Sequence, residues 1–223
     1  MSLALDHLVV AARSLDEGVA WCEATFGICP DAGGQHVFMG THNRVFSVAS
    51  AAFPHAYLEV IAIDPALPAP GRARWFDLDD AALQRALAHR PQLVAWVARC
   101  VDIGTAHAAL LAGGMDAGAL LHTERAMPRG MLRWQISVRA DGRRLLAGAV
   151  PVLIAWGAAH PTAALGESGV ALQTMRVGGW PQSLAALLPA AIEPDAALAA
   201  APISLVLVGR RGPVTLTSMQ PQG

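Results

Sequence analysis

Lysine is absent from this chain. All 16 basic residues are arginines, which excludes Schiff-base lysines, a phosphate-cradling GxxxxGK(S/T) loop and a kinase-type lysine. Cysteine is scarce. Cys22, Cys29 and Cys100 cannot all pair within one chain, and none belongs to a CxxC pair, so zinc-ribbon and thioredoxin readings fail. Charge is scarce too, at 15% of residues with a net charge of −1. A pI near 6.7 and the lack of a basic stripe leave no nucleic-acid footprint. The longest apolar run, 145–159, is broken by Gly148, Pro151 and Gly157 and is too short to span a bilayer. The N-terminus has no basic region, and Asp6 interrupts its apolar stretch, so it does not read as a signal peptide. The reduced cytoplasm is the expected location. HExxH, GxSxG and GxGxxG motifs are missing.

What is present is an apolar chain of 223 residues, 54% hydrophobic, long enough to bury a core and too apolar to be disordered. About a fifth of it is alanine, so that percentage overstates the large side chains. Arginine without lysine and abundant alanine point to a GC-rich bacterial gene.

The order of elements repeats. Residues 5–12 form a β-rich run, followed by the capping box Ser14-Leu15-Asp16-Glu17. A helix to Phe26 carries Val19, Cys22 and Phe26 on one face and ends at Gly27. Cys22 reads as core. Strand-like runs at 35–39, 43–49 and 56–63, set off by Gly33-Gly34, Gly40-Thr41 and the segment 51–55, complete a β-α-β-β-β module, assigned to 1–66. A linker with a short helix at 80–89, capped by Asp79, occupies 67–91. The pattern then returns with an offset of 99 − 13 = 86 residues: Arg99-Cys100-Val101-Asp102 echoes Arg13-Ser14-Leu15-Asp16. A strand at 93–98, a helix at 103–112 and strands at 119–123, 132–139 and 150–156 make the second module, 92–160. The remainder, 161–223, reads as an incomplete third βαββ module with Pro181 near a helix start and a hairpin about Arg210-Arg211-Gly212-Pro213. Within it 189–202 has no assignment. The expected class is α+β.

Strand alternation sorts the candidate chemistry. His7 and Val9 face opposite Leu8 and Val10, and Tyr57, Glu59 and Ile61 face opposite Leu58, Val60 and Ala62. If the helix covers the Leu8 and Leu58 side, His7 and Glu59 share a concave face. A carboxylate inside an apolar strand must find a cation, a metal or hydrogen bonds. In 129–138, Leu132, Trp134, Ile136 and Val138 make an apolar face, and Arg133, Gln135 and Ser137 line the other. If the polar face lines a cleft, Arg133 becomes a carboxylate or phosphate clamp. Gly40-Thr41-His42-Asn43 reads as a turn, and His42 is an acid/base candidate only where that turn overhangs the cleft. His160-Pro161 reads as loop. His36, His55, His89, His107 and His122 show no ligand spacing and receive no role.

The repeat and the stretches Leu5-Asp6-His7-Leu8-Val9-Val10, Gly40-Thr41-His42-Asn43, Tyr57-Leu58-Glu59-Val60-Ile61-Ala62, Arg74-Trp75-Phe76, Arg129-Gly130-Met131-Leu132-Arg133-Trp134 and Val152-Leu153-Ile154-Ala155-Trp156 resemble the vicinal oxygen chelate superfamily, of which glyoxalase I, extradiol dioxygenases and bleomycin-resistance proteins are members. More narrowly the chain resembles glyoxalase-like domain proteins, over most of 3–180. The resemblance implies two βαβββ modules paired into a cleft, with metal ligands drawn from the first and last strands of each. His7 and Glu59 occupy those places in module one. With the 86-residue offset His7 maps to Leu93, whose neighbour Val94 cannot ligate either, and 152–156 holds no carboxylate. Half a ligand set leaves room for a weakly held divalent metal at most, and no cofactor is expected.

The expected function is that of a lyase- or isomerase-type enzyme acting on a small carbonyl- or carboxylate-containing metabolite. Glu59 is its general base, with a pKa raised by a dry cleft, supported by His7 or His42. Arg133, Gln135, Asn43 and Tyr57 are the expected ligand-binding residues. The alternative is a non-catalytic binder of the bleomycin-resistance type. An anionic small molecule is the expected partner, with neither nucleic acid nor membrane, and a homodimer remains open.

Overall fold

The computed structural model describes residues 3–127, 130–198 and 202–219. Arg129 and residues 199–201 of the unassigned stretch lie outside them. Module one runs β1 (Ala4–Ala11), α1 (Leu15–Phe26), β2 (Asp31–His36), β3 (Thr41–Ser47) and β4 (Tyr57–Ile63). A linker carries α2 (Ala81–Leu87). Module two runs β5 (Gln92–Arg99), α3 (Ile103–Ala112), β6 (Ala119–Met127), β7 (Gly130–Val138) and β8 (Val152–Trp156). The helix ends follow their sequence signals. Glu17 N–H donates to Ser14 Oγ at 3.2 Å, and Gly27 closes α1 in the left-handed region at φ 74°. Thr105 N–H donates to Asp102 Oδ1 at 3.0 Å. Asp80, not Asp79, caps α2. Asp79 instead pairs with Arg74 at 2.7 Å.

Both modules join one eight-stranded sheet in the order β2-β3-β4-β1-β5-β8-β7-β6. β1 lies parallel to β4 and antiparallel to β5, so the two halves meet along a continuous hydrogen-bonded seam. The rest of the chain builds a second sheet from β9 (Ala171–Val177), β10 (Glu193–Pro194), β11 (Ile203–Gly209) and β12 (Gly212–Thr217), in the order β10-β9-β11-β12. In place of the helix expected after Pro181 there is a 3₁₀ segment, Gln182–Leu187, with Pro181 as its cap.

The large sheet has two covered faces. On the outer face Leu8, Val10, Leu58 and Val60 pack with Cys22 and Phe26 of α1, Leu110 of α3, and Leu172 and Leu205 of the small sheet. On the inner face Val9, Ile61, Val94, Leu132, Trp134, Ile136 and Ile154 pack with Trp75, Phe76, Leu78 and Leu83 from the linker and α2. Cys22 is fully buried in the outer core, where burial pushes its thiol up to about 12. No helix among the described residues is long and apolar enough to cross a membrane.

One expected strand is displaced. The run placed at 35–39 is the strand Asp31–His36 followed by a 3₁₀ turn, Val37–Met39. Gly33-Gly34 lies inside this strand and does not precede it. The pairing of β2 with β3 breaks between Ala32 and Gln35, across those two glycines.

Candidate functional site

The inner face of module one gathers the polar groups, and β1 explains how. Leu5 pairs with Ala98 and His7 with Val97, so Asp6 is an extra residue in a bulge. Leu3 and Leu5 before it, and Leu8 and Val10 after it, all enter the outer core. The bulge absorbs the change of parity and brings Asp6 and His7 together. His7 Nδ1–H donates to Asp6 Oδ1 at 2.7 Å, and its Nε2 lies 3.5 Å from Glu59 Oε2. The ring stacks on Tyr57 with centroids 4.6 Å apart and 22° between planes.

Glu59 stands at the middle of β4 and is 5% exposed. Asn43 Nδ2–H donates to its Oε1 at 2.5 Å, while Asn43 Oδ1 accepts from Gly34 N–H at 2.7 Å. His36 Nε2 lies 4.0 Å from the same oxygen, beyond hydrogen-bond reach. Behind His7, Asp6 Oδ2 accepts from Trp156 Nε1–H at 2.9 Å and lies 3.0 Å from His160 Nε2. Thr162 N–H donates to His160 Nδ1, which leaves Nε2 to carry the proton toward Asp6.

These contacts fix the charges. Burial alone would lower the pKa of His7, but its bonds to Asp6 and Glu59 raise it to about 9, so the imidazolium persists at neutral pH. Burial would raise Glu59, yet the bond and charge of His7 and the bond from Asn43 bring it down to about 2. The expectation of an upward-shifted Glu59 is therefore reversed, because the cleft is dry but not empty of donors. Asp6 is held far below the usual carboxylate range by His160 and His7 against its own burial. Burial takes His36 down to about 4, so it is neutral.

A cavity of about 50 Å³ opens beside this cluster, lined by His7, His36, Asn43, Tyr57 and Glu59 on one side. Leu132, Trp134, Ile136, Ile154 and Arg125 stand on the other, with Trp75 and Phe76 nearby. Of the residues singled out in the sequence, His7, Glu59, Asn43 and Tyr57 thus line one space.

Three do not. Arg133 is 68% exposed, pairs with Glu124 at 2.9 Å, and lies with Gln135 along a separate open groove of about 650 Å³ beside the start of α3. The apolar face of β7, not its polar face, lines the cleft. Neither Arg133 nor Gln135 reaches Glu59. His42 is a strand residue, not part of a turn. It alternates with Thr41 and Asn43, faces away from Glu59, and sits 3.4 Å from Asp64.

Asp6, His160, Trp156 and Arg125 received no role in the sequence. The change of parity between Leu5 and Leu8 is a readable sign of the bulge at Asp6. Nothing local marks contacts that join residues 150 or more positions apart.

The donors do not fit a divalent metal ion. Both oxygens of Glu59 already face protein donors, the opposite wall is apolar, and Val94 packs in the inner core. Among the described residues no three His, Cys, Asp or Glu side chains are placed to hold a metal.

A family model described as a glyoxalase-like domain matches residues 5–192. Among solved structures, a hypothetical protein from Staphylococcus aureus aligns with a TM-score of 0.55 and 13% identity, over 98% of this chain and 86% of its own. A Streptomyces coelicolor methylmalonyl-CoA epimerase variant in complex with 2-nitronate-propionyl-CoA aligns with a TM-score of 0.42 and 19% identity, over 71% of this chain and 98% of its own. The methylmalonyl-CoA epimerase of Mycobacterium tuberculosis aligns with 0.40 and 18%, over 72% and 91%. No curated protein matches the sequence. The two-module sheet and the span of the family match agree: this chain belongs to the glyoxalase-like domain family.

Proposed function

We propose that the chain is an isomerase- or lyase-type enzyme in which Glu59 moves a proton at a carbon next to a carbonyl of a small metabolite. The observation that carries this reading is the contact of a buried, ionised Glu59 with a buried imidazolium, His7, at the wall of a cavity. An ionised carboxylate is ready to accept a proton without first losing one. As it does so, negative charge develops on the substrate oxygen, and the His7 imidazolium is the adjacent compensating charge. Asp6 keeps His7 protonated and oriented, and Asn43 fixes the Glu59 carboxylate.

The test is proton exchange in heavy water, followed by NMR on short 2-oxo acids, α-ketoaldehyde thiol adducts and α-branched carbonyl compounds. Wild type is expected to incorporate deuterium next to the carbonyl of at least one compound, and Glu59→Gln to lose this at unchanged fold. A second reading, ligand sequestration, is favoured by the low pKa of Glu59, which makes it a weak base. Binding without exchange in wild type would establish that reading and remove the first.

A further inference from the structure

The inner cavity shares part of its lining with a second space. Outside it, between the free edges β2 and β6, lies a mouth of about 960 Å³. His36, Arg125 and Trp134 line both spaces and so form the neck between them. The sizes differ in kind. About 50 Å³ admits a few water-sized groups, whereas the mouth matches the volume of a drug-sized ligand.

The neck holds a cationic side chain, the guanidinium of Arg125. His36 is neutral, and Glu124 in the mouth is engaged by Arg133. The local backbone gives Arg125 its place. A Cβ on Gly34 would fall 2.2 Å from Arg125 Nη1, and one on Gly33 would fall 2.0 Å from Asn43 Oδ1. Two adjacent glycines of β2 thus seat two side chains: one grips Glu59, and the other reaches across from β6. A guanidinium presents its N–H donors in a planar fork that matches a carboxylate or a phosphate.

We infer that the site takes a two-part substrate: a compact end that enters beside Glu59, carried on a larger group whose carboxylate or phosphate is held by Arg125 at the neck. The inference rests on the preceding reading only for the chemistry at the compact end.

Calorimetric titration of the full chain with pyrophosphate, succinate and neutral adenosine tests it. Wild type is expected to bind pyrophosphate or succinate at least tenfold more tightly than adenosine, and the better of the two anions identifies the group. Arg125→Gln should lose that preference. Gly34→Ala, which only pushes the flexible end of Arg125 aside, should weaken anion binding several-fold with an unchanged melting temperature, and it serves if Arg125→Gln does not fold. Absence of anion preference in wild type, or its survival in the two neck variants, overturns the inference. Exchange lost in Glu59→Gln beside anion binding unaffected by the neck variants overturns this proposal alone. Anion binding lost in the neck variants with no exchange in wild type overturns only the proton-transfer proposal.

Discussion

β4 and β8 hold the same place, last strand, in two modules of the same topology. β4 presents Tyr57 and Glu59 to the cleft, whereas β8 presents Ile154 and Trp156. The first strands differ likewise: β1 offers His7, and β5 places Val94 and Val97 in the inner core. A fold that brings two equivalent faces together does not require equivalent chemistry on them. Here one half holds the ionised groups and the other supplies a dry wall, with Arg125 at its rim. That wall strengthens the electrostatics opposite, since buried charges are screened far less than exposed ones. Besides the backbone seam, side chains join the two halves where Trp156 and His160 of module two meet Asp6 of module one.

The comparison breaks most severely at Asp6. Asp6→Ala removes the ion-pair partner of His7 Nδ1–H and strips Trp156 and His160 of their acceptor. Breaking a buried ion pair costs about 3–5 kcal/mol, and urea unfolding should show a loss of that size.

A pH series sharpens the contrast next. The folded pKa of His7 is raised from 6.5 to about 9. Its contribution to stability is therefore complete below pH 6.5 and is lost as the pH rises through about 9. Glu59, lowered from 4.5 to about 2, contributes fully above pH 4.5 and loses its contribution as the pH falls toward 2. The melting temperature should fall at both ends, and a His7→Gln protein should lack the alkaline decline.

Module two's exposed pair should matter far less. Arg133→Ala removes a surface ion pair worth about 0.2–1 kcal/mol, and proton exchange and anion binding should be unchanged. A larger effect would put the clamp back on this face.

The smallest effect is expected from metal removal. Dialysis against EDTA should leave the melting temperature unmoved, because no three His, Cys, Asp or Glu side chains among the described residues are placed to hold a metal and Glu59 is already engaged. Elemental analysis finding one tightly held metal per chain, lost in His7→Ala, would show that the apolar wall is not the whole of the second half.

Much of the architecture was legible because it rests on local signals. Ser14 caps the first module's helix and Asp102 the second's, two residues past the position the 86-residue offset gives, and Gly27 ends the first. Two features misled. Gly33-Gly34 has the composition of a turn, yet it lies in a strand whose neighbours need space. The alternation through Leu132-Arg133-Trp134-Gln135 separates two faces correctly without saying what covers each. Polarity suggested that Arg133 lined the cleft, but on this sheet both faces are covered, and the apolar one meets the cavity. The candidate site was readable only where one strand carries it, as with Glu59. The Asp6–Trp156 and Asp6–His160 contacts depend on a chain reversal 150 or more residues away.

The seam between β1 and β5 has a consequence for motion. Because the modules share backbone hydrogen bonds at the centre of one sheet, they cannot swing apart as hinged lobes. Freedom to breathe is left to the outer strands β2 and β6, which flank the mouth. Amide hydrogen exchange should accordingly be slowest along the central seam and fastest at those two margins, a gradient in which the molecule loosens around the mouth and stays rigid around Asp6, His7 and Glu59.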